Sequence, residues 1–378
     1  MKVVGIIAEY NPFHLGHLYQ INMIKEMYPN SIIIAVVSTH FTQRGDISVL
    51  NKWDKARICL ENNVDIVLEL PTLYATQSSD IFAEAALKIL NSFNIDALVF
   101  GSESNDIDML KKMAMVQLKD DRYNDVVKKY LNLGVNYPTA MSKALMEISN
   151  DTVINPNDLL GLSYVKEIIR NNYDIEPVSI KRSNDYHAQT VTGNIISANL
   201  IRKMLYDNKD VSIHIPKITN KYLYRDVSLD KAFNLLKYSI INNIDSLNKY
   251  LTVDEGIENR IIKYINDADC WEDLVMKIKT KRYTYNKVNR MLMHILLGIK
   301  KEDNTKEIYL RVLGFSHKGR KYLNTLKKEV TLPIYVGYKK DLSKIFDIEF
   351  RASCIYSLIT SDVSICKNEY KKMPIMKY

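Results

Sequence analysis

The sequence predicts an α/β protein, in which a Rossmann-like, doubly wound parallel sheet is followed by a mainly helical C-terminal domain. In the first part of the chain, short apolar runs rich in β-branched residues alternate with segments of helical periodicity. The runs lack polar alternation, which is typical of strands covered by helices on both faces. From about residue 211 the chain has few glycines and many Lys and Tyr residues, and helical periodicity dominates.

The elements of the first part follow one another as expected for β-α-β units. Strands are predicted at Val3–Ala8, Ser31–Ser38, Val64–Leu68 and Ala97–Phe100, and helices at Gly16–Met27, Asn51–Asn62 and Asp80–Phe93. Sheets of this kind bind ligands at the carboxyl ends of their strands. The segments Glu9–His17 and Gly101–Ser104 both follow predicted strands, which makes them candidates for a binding site.

Later segments complete the first domain. Helices are predicted at Asp106–Ser149, Asp158–Asn171 and Ile196–Leu205, and a returning strand is predicted at Ile175–Arg182. Ser197 is a suitable N-cap for the last of these helices, because its hydroxyl can accept a free backbone N–H. We place a domain boundary near residues 205–220, which divides the chain into residues 1–210 and the basic, mainly helical residues 211–378.

Composition narrows the class of protein. The chain has 378 residues, 47% hydrophobic and 25% charged, as in an ordinary globular protein. Its N-terminus resembles no targeting segment and no run of 18 apolar residues occurs, so we expect a cytoplasmic protein without a membrane span. The cysteines (Cys59, Cys270, Cys354 and Cys366) lack CxxC spacing and predict neither a disulfide framework nor a zinc knuckle. The net charge of +8 suits a polyanionic partner, although AT-rich coding would also enrich lysine.

The segment EYNPFHLGH (Glu9–His17) predicts a nucleotide-phosphate site. Pro12 has no N–H group and helps to end the strand, and Gly16 has no Cβ, so an anion can approach the backbone. The helix that begins there directs free N–H groups and its positive end toward the same point. His14 and His17 flank this point, where imidazole N–H groups could stabilise the charge that develops on a five-coordinate phosphorus.

Two other interpretations of this segment remain open. A capped helix with two surface histidines would need no ligand. A zinc site would need a third ligand, for which His40 is the nearest candidate, but no cluster of Cys, Asp or Glu accompanies it. We therefore predict no metal site made of protein side chains.

GIIAEYNPFHLGH (Gly5–His17) resembles the HxGH signature of the nucleotidyltransferase superfamily, which includes class I aminoacyl-tRNA synthetases and adenylyltransferases. The longer form EYNPFHxGH resembles the bacterial tRNA(Met) cytidine acetate ligases. Further similar segments follow in order along nearly the whole chain: FTQRGD (Phe41–Asp46), DIVLELP (Asp65–Pro71), FGSES (Phe100–Ser104), NPNDLLGLSYVK (Asn155–Lys166), IKRSNDYH (Ile180–His187), ISANLIR (Ile196–Arg202), NRMLMHILLGI (Asn289–Ile299) and LGFSHKGRKYL (Leu313–Leu323). The resemblance implies a fold of the nucleotidyltransferase type.

The resemblance also implies a reaction. Acetate attacks the α-phosphorus of ATP, which gives acetyl-adenylate and diphosphate. The N4 amine of cytidine 34, the wobble base of elongator tRNA(Met), then attacks the acetyl carbonyl, and N4-acetylcytidine and AMP are formed. ATP is therefore the expected nucleotide substrate, Mg²⁺ is expected to accompany it, and acetate and elongator tRNA(Met) are the expected partners.

The same resemblance implies site residues. His14 and His17 are expected to contact phosphate and stabilise the transition state. The implied ATP-binding set is Ile7, Ala8, Glu9, Tyr10, Asn11, Pro12, Phe13, His14, Leu15, Gly16, His17, Leu18, Tyr19, Gln20, Gly101, Asn157, Arg182, Ser197 and Arg202. The segment Gln43–Asp46 resembles a substrate-side loop. The sequence departs from the family pattern at Thr39-His40, at Asp158, which is a second candidate beside Asn157, and at Asn199.

The basic residues of the second half are candidates for RNA contact. The window Lys277–Arg290 holds six Lys or Arg residues, no acidic residue and two tyrosines, and His317–Lys328 adds five more basic residues. Cations suit phosphates, and aromatic rings suit unstacked loop bases. We predict tRNA contacts at Lys279, Lys281, Arg282, Tyr283, Lys287, Arg290, Lys318 and Arg320. A solvated helix face is the alternative.

Two other functions remain open on the sequence alone. A small-molecule adenylyltransferase of the HxGH superfamily would share the first domain, but it would leave the C-terminal half without an assigned role. A non-catalytic RNA-binding protein that retains a nucleotide-binding fold would use only the basic surface.

Overall fold

A mostly parallel β-sheet forms the centre of the fold, in a computed structural model that describes residues 1–150, 155–182, 193–326, 330, 332–337, 343–371 and 373–377. Its strands are β1 (Val3–Ala8), β2 (Ile32–Ser38), β3 (Ile66–Leu70), β4 (Ala97–Ser102), β5 (Glu176–Lys181), β6 (Leu310–Ser316), β7 (Ile334–Tyr335) and β8 (Ile375–Lys377). The order is β5-β4-β1-β2-β3-β6-β7, and β8 also pairs with β6. Strand β6 runs antiparallel to β3, and the other described pairs are parallel.

The predicted strands of the first part are confirmed. Every residue of β2 and β3 is buried, as expected for strands covered on both faces. Strand β3 continues to Leu70, immediately before Pro71. Strand β4 continues past its predicted end, because Gly101 and Ser102 pair with Ile180 and Lys181 of β5. Gly101 therefore lies within the strand and does not end it.

Helices flank this part of the sheet. They are α1 (Leu15–Met27), α2 (Lys52–Glu61), α3 (Thr72–Ala75), α4 (Ser79–Asn91), α5 (Ile107–Lys119), α6 (Arg122–Asn132), α7 (Tyr137–Ser149), α8 (Pro156–Arg170) and α9 (Ala198–Tyr206). The single helical segment predicted at Asp106–Ser149 is divided into three. The last break occurs where Gly134 adopts a positive φ of 81° and Asn136 caps the next helix by accepting the N–H of Thr139.

The second half is mainly helical, as predicted. Its helices are α10 (Lys217–Tyr222), α11 (Leu229–Asn242), α12 (Ile257–Tyr264), α13 (Trp271–Ile278), α14 (Tyr285–Leu297), α15 (His317–Leu326), α16 (Lys344–Thr360) and α17 (Val363–Lys371), with 3₁₀ turns at Ile244–Lys249 and Lys301–Asp303. Strand β6 was not predicted. It places Phe315 opposite Ile66 of β3, so the sheet extends across the predicted boundary and takes a strand from the second half.

A fully buried ionic network also joins the two halves. Lys52 of α2 donates from Nζ to Glu69 of β3 at 2.8 Å, to Glu349 of α16 at 3.1 Å and to Glu369 of α17 at 2.8 Å. Arg311 of β6 donates to Glu69 and Glu369. All five side chains are shielded from solvent. Two cations are therefore shared among three carboxylates in the interior.

The pKa values within the network follow from this arrangement. Burial alone would raise the pKa of Glu369, but Lys52 and Arg311 outweigh burial and hold it well below its ordinary value. Burial raises the pKa of Glu349, which Lys52 only partly offsets. The three carboxylates raise the pKa of Lys52 although burial opposes them. The network therefore depends on the cations staying in place.

One cysteine pair corrects the prediction that no disulfide forms. Cys354 of α16 and Cys366 of α17 are joined by a disulfide across a sequence separation of 12 residues. Cys59 and Cys270 are free thiols. The bridge follows from the close packing of α16 on α17, and no CxxC-type spacing in the sequence indicates it.

No described helix is long and apolar enough to cross a membrane. The described part of the chain also contains no group of three or more His, Cys, Asp or Glu side chains that could together hold a metal ion.

Candidate nucleotide-binding site

A pocket opens at the carboxyl ends of β1, β4 and β5. Strand β1 lies between β2 and β4, so the chain leaves β1 in one direction and returns on its other side. This is the topological switch point, where open α/β sheets bind their ligands. The pocket is lined by His14, Gly16, His17, Tyr19, Gln20, Gly101, Ile180, Lys181, Arg182, Ile195 and Ile196.

His14 and His17 form a reciprocal cap at the start of α1. The N–H of Gly16 donates to Nδ1 of His14 at 3.0 Å, and the N–H of His14 donates to Nδ1 of His17 at 3.1 Å. The two rings stack with their centroids 3.8 Å apart. Because each Nδ1 accepts a backbone N–H, the proton of each neutral ring lies on Nε2. Both rings therefore have an Nε2–H group with which to donate to a ligand.

Both imidazoles are neutral near pH 7. Burial lowers the pKa of His14 from 6.5 to about 3, and Arg182 and Arg202 add to this effect. Burial also lowers the pKa of His17 well below 6.5, followed by the effects of His14 and Arg182. Since the unfolded chain binds more protons, the free energy of unfolding should fall as the pH drops from 6.5 toward 3. The positive charges near these neutral rings are those of Arg182 and Arg202, and they suit an anionic ligand.

Gly16 is required by the ring of His14. A Cβ at Gly16 would lie 2.8 Å from Cε1 and 3.0 Å from Nδ1 of His14. We expect Gly16→Ala to displace this ring and to lower kcat/KM for ATP by about tenfold or more, since small misplacements at a reacting centre are costly. Steady-state kinetics with varied ATP would measure this effect.

Gly337→Ala is the matched control for this substitution, because a Cβ at Gly337 would have no neighbour within 4 Å. Unchanged ATP kinetics in Gly16→Ala would show that the position of the His14 ring does not matter for catalysis.

Arg182 is placed to meet phosphate. It follows β5, where its backbone N–H donates to the carbonyl of Ser102 at 2.9 Å. Its side chain packs on Gly101, whose added Cβ would lie 3.3 Å from Cγ of Arg182. Its Nε is buried and has no hydrogen-bond partner among the described residues. A guanidinium with an unsatisfied donor at the pocket wall is suited to bind an anion.

Asn157 and Asp158, at the start of α8, hold the segment that follows β4. The Asp158 carboxylate accepts Oγ of Ser102 at 2.5 Å and the N–H groups of Glu103 and Ser104, both at 3.0 Å. Nδ2 of Asn157 donates to Glu103 at 2.5 Å. Asn157 does not line the pocket. In this structure the pair shapes the segment beside Gly101, and direct nucleotide contact by Asn157 stays a prediction.

The helix of the ISANLIR segment contributes a cap and a bridge. Ser197 caps α9 as predicted, with Oγ accepting the N–H of Leu200 at 3.2 Å. Arg202 donates to the carbonyl of Asn11 at 2.8 Å and to Asp46 at 3.1 Å. Arg202 therefore joins the turn after β1 to the loop after β2, and its contact with ATP stays a prediction.

The predicted ATP-binding residues separate into two groups. Seven of them line the pocket: His14, Gly16, His17, Tyr19, Gln20, Gly101 and Arg182. Within the opening segment, Tyr10 and Phe13 are instead buried, and their rings pack together at 4.8 Å. Sequence reasoning missed Ile180, Lys181, Ile195 and Ile196 as lining residues. All four lie in or beside the IKR and ISANLIR segments, which was the available signal. Ser183–His187 of IKRSNDYH lie outside the described residues.

The loop Gln43–Asp46 lies between the pocket and α14. The N–H of Gln43 donates to Glu9 at 2.6 Å, and Arg290 of α14 donates to the carbonyl of Gln43 at 3.1 Å. Gly45 has a φ of 79°, and a Cβ there would lie 2.7 Å from the backbone of Asn289. The loop therefore packs directly on α14, the helix that contains the last residues of the basic window Lys277–Arg290.

The predicted tRNA contacts lie in different places. Lys279, Lys281 and Arg282 are exposed just before α14. Tyr283 is only 6% exposed and donates to Glu255 at 2.8 Å, so its ring does not fit the predicted stacking role. Lys287 and Arg290 are half-buried on α14.

Lys318 and Arg320 lie at the opposite end of the sheet from the pocket. Nζ of Lys318 donates to the carbonyl of Ser31, which immediately precedes β2, at 2.5 Å. Arg320 is exposed on the same helix. The last two basic residues of this window, Lys327 and Lys328, lie outside the described residues.

The fold and the site together define a nucleotidyltransferase of the HxGH class. A family model described as HIGH Nucleotidyl Transferase matches residues 1–372. The chain is 37% identical to the tRNA(Met) cytidine acetate ligase of Caldicellulosiruptor saccharolyticus, over 99% of this chain and 98% of that protein. It is also 37% identical to the tRNA(Met) cytidine acetate ligase of Anoxybacillus flavithermus, over 99% and 100% of the two chains. The chain therefore belongs to the tRNA(Met) cytidine acetate ligase family.

Solved structures agree with this assignment. The crystal structure of Thermotoga maritima TmcAL bound with alpha-thio ATP is 29% identical to this chain and superposes with a TM-score of 0.89, covering 100% of this chain and 99% of that one. The apo structure of the same protein gives 30% identity and a TM-score of 0.91 with the same coverage. The resemblance that the motifs indicated is thus confirmed, as is the fold class.

Proposed function

We propose that this chain is an ATP-dependent, AMP-forming ligase that activates acetate as acetyl-adenylate and transfers the acetyl group to N4 of the wobble cytidine 34 of elongator tRNA(Met). The observation that carries the proposal is the pair of neutral imidazoles at the switch point. Their Nε2–H groups lie at a helix N-terminus, in the pocket that Arg182 also lines, and Nε of Arg182 has no hydrogen-bond partner among the described residues. The family assignment supplies acetate and tRNA as the substrates.

In the first step, an acetate oxygen attacks the α-phosphorus of ATP. The new P–O bond forms as the bond to the β-phosphate breaks, and diphosphate leaves with the electron pair. His14 and His17 donate to phosphate oxygens through Nε2, and Arg182 neutralises part of the charge. These donors are held in place before the reaction by the cap of α1, so little reorganisation is needed in the transition state.

We expect Mg²⁺ to accompany ATP through the phosphate oxygens. The carboxylates in the loops around the site already accept hydrogen bonds from the protein. Glu9 accepts from Gln43, Asp46 accepts from Arg202, and Glu103 accepts from Asn157. A bound Mg²⁺ would supply further stabilisation of the diphosphate leaving group.

In the second step, the N4 amine attacks the acetyl carbonyl. The N4–C bond forms, the C–O bond to AMP breaks, and N4 releases a proton, so that N4-acetylcytidine and AMP result. Because the mixed anhydride is already activated, the protein has mainly to position the base. The exposed basic residues before α14 are suited to hold the tRNA backbone near the pocket, because α14 contacts the loop Gln43–Asp46.

The test of this proposal is the transfer of labelled acetate. Purified protein, ATP, Mg²⁺, labelled acetate and the cognate tRNA should yield N4-acetylcytidine at position 34, with AMP and diphosphate in equal amounts. No acetylated nucleoside from folded protein would overturn the proposal. Diphosphate release that a phosphorylated cofactor precursor stimulates and acetate does not would favour an adenylyltransferase.

The tRNA contacts give a separate prediction. We expect the double variant Lys281→Ala and Arg282→Ala to weaken tRNA binding and to reduce the magnitude of the negative slope of log K against log salt by about 1.4 to 1.8, because each lost phosphate contact removes about 0.7 to 0.9. Filter binding over a salt series would measure both quantities. Lys318→Ala with Arg320→Ala tests the contacts proposed at the opposite end of the sheet.

The matched control removes two exposed lysines from α5 and α6, Lys119 and Lys128, which lie outside both basic windows. If Lys281→Ala with Arg282→Ala binds tRNA like this control, the first window does not belong to the tRNA contact surface.

A further inference from the structure

Lys55 of α2 lies fully buried beneath the two loops that form the site. Its Nζ donates to the carbonyls of Glu9 at 2.7 Å, Ser38 at 2.9 Å and Thr39 at 2.8 Å. Ser38 is the last residue of β2, and Glu9 directly follows β1. The ammonium therefore connects the ends of two neighbouring parallel strands, at the point where the phosphate-binding turn and the loop after β2 leave the sheet.

Other contacts above Lys55 join the same two loops. The carboxylate of Glu9 accepts the N–H of Gln43 at 2.6 Å. Asn11 accepts the N–H of Val49 at 2.9 Å, and Arg202 donates both to the carbonyl of Asn11 and to Asp46. The phosphate-binding turn and the loop Gln43–Asp46 therefore form one hydrogen-bonded unit, and Lys55 lies at its base.

The match of donors and acceptors at Lys55 is complete. An ammonium has three N–H groups, and each has one carbonyl acceptor. Burying a charge costs free energy unless hydrogen bonds replace its hydration, and a buried carbonyl that loses its donor is also destabilised. Loss of one N–H would therefore leave one of the three carbonyls without its donor and loosen the connection between the two loop ends.

We propose that Lys55 is a positioning residue, whose ammonium fixes the phosphate-binding turn and the loop Gln43–Asp46 at the spacing that the first reaction step needs. This inference rests on the proposed function, in which ATP and acetate meet between these loops. Lys55 does not touch substrate. It acts through the carbonyls of Glu9, Ser38 and Thr39, and it acts only in the ammonium form, because the neutral amine has one N–H fewer than there are acceptors.

The charge state of Lys55 changes near neutral pH. Burial lowers its pKa from 10.5 to about 7, although Glu9 and Cys59 oppose the change. The groups that face it are the Glu9 carboxylate after β1, the Cys59 thiol on α2 and His40 after β2. Burial raises the pKa of Cys59 and lowers that of His40, so both are neutral around pH 7. The ammonium form is therefore lost as the pH rises through about 7, and kcat should fall with it.

The experiment compares Lys55→Met and Lys55→Arg with the wild type and with Lys25→Met, a control on the exposed face of α1. Acetate-dependent exchange of diphosphate into ATP is measured from about pH 5.5 to about pH 9. Hydrogen exchange of the Gln43 amide is measured in parallel. We expect Lys55→Met to lose about ten- to a hundredfold in kcat, with a smaller change in KM, and to exchange the Gln43 amide faster.

Lys55→Arg keeps its charge at all these pH values, so it should retain more activity than Lys55→Met and lose the fall in kcat near pH 7. An unchanged Gln43 amide in a folded Lys55→Met would overturn the inference, as would an unchanged pH profile in Lys55→Arg. If Lys55→Met does not fold, the profile of Lys55→Arg decides. If the wild type shows no acetate-dependent exchange, the proposed function fails, while Gln43 exchange in the two variants still tests the positioning role.

Discussion

His17→Ala should lower the turnover of acetyl-adenylate formation by about 10²- to 10³-fold while tRNA affinity stays at the wild-type value. The substitution removes one preorganised Nε2–H donor from the pocket, and it also removes the acceptor of the His14 N–H. Exchange of diphosphate into ATP measures the first effect, and filter binding measures the second. The tRNA contacts proposed before α14 lie on other residues, so the two measurements should separate.

His14 allows the donor to be separated from the helix cap. Its Nδ1 accepts the N–H of Gly16, so His14→Ala loses both the cap and the Nε2–H group. Asn is among the best N-cap residues, and His14→Asn should therefore keep the stability of α1, which a lost cap lowers by about 1 kcal/mol, but not the activity. His317→Ala, on α15 at the opposite end of the sheet, is the matched control. Wild-type turnover in His14→Asn would show that the imidazole donor is dispensable.

Lys52→Met should lower the free energy of unfolding by about 3 to 5 kcal/mol, the range found when one partner of a buried ion pair is removed. The substitution leaves Glu69 and Glu369 with Arg311 and removes the Lys52 ion pair of Glu349. Urea unfolding followed by circular dichroism measures the change. Lys2→Met is the control, because Lys2 forms an exposed pair with Asp96 at 3.7 Å, and such pairs contribute about 0 to 1 kcal/mol.

A second variant tests whether unpaired charge causes this loss. Glu349 is the carboxylate whose pKa burial raises, so removing its charge should relieve the excess of negative charge in Lys52→Met. We expect Lys52→Met with Glu349→Gln to recover part of the stability, which a double-mutant cycle would quantify. A loss below about 1 kcal/mol in Lys52→Met alone would contradict the assigned role of the network.

The parts of the fold that the sequence predicted are those whose cause is local. Strands β1, β2 and β4 are largely apolar runs, and Ser197 caps a helix whose first free N–H groups lie within four residues of it. His14, Gly16 and His17 act within a single turn, so their spacing alone indicated the phosphate site.

The features that the sequence did not predict depend on residues far apart in the chain. Strand β6 is recognised only through its pairing with β3, and the Cys354–Cys366 disulfide only through the packing of α16 on α17. The sequence gives Lys55 no feature that distinguishes it from other helical lysines, because its three carbonyl acceptors lie in other parts of the chain. The basic neighbours of Tyr283 predict a stacking ring, yet this ring packs in the core beside Glu255.

The place of β6 in the sheet has a consequence for folding during synthesis. During synthesis, the residues of β1 to β5 and all the residues that line the pocket leave the ribosome before those of β6. Until then the outer edge of β3, a strand that is fully buried in the finished protein, exposes unpaired backbone groups, and such edges recruit other strands and promote aggregation. The nascent chain therefore contains all the residues that line the pocket while the edge of β3 is still unpaired. That edge is covered only when β6, from the second half of the chain, pairs with it.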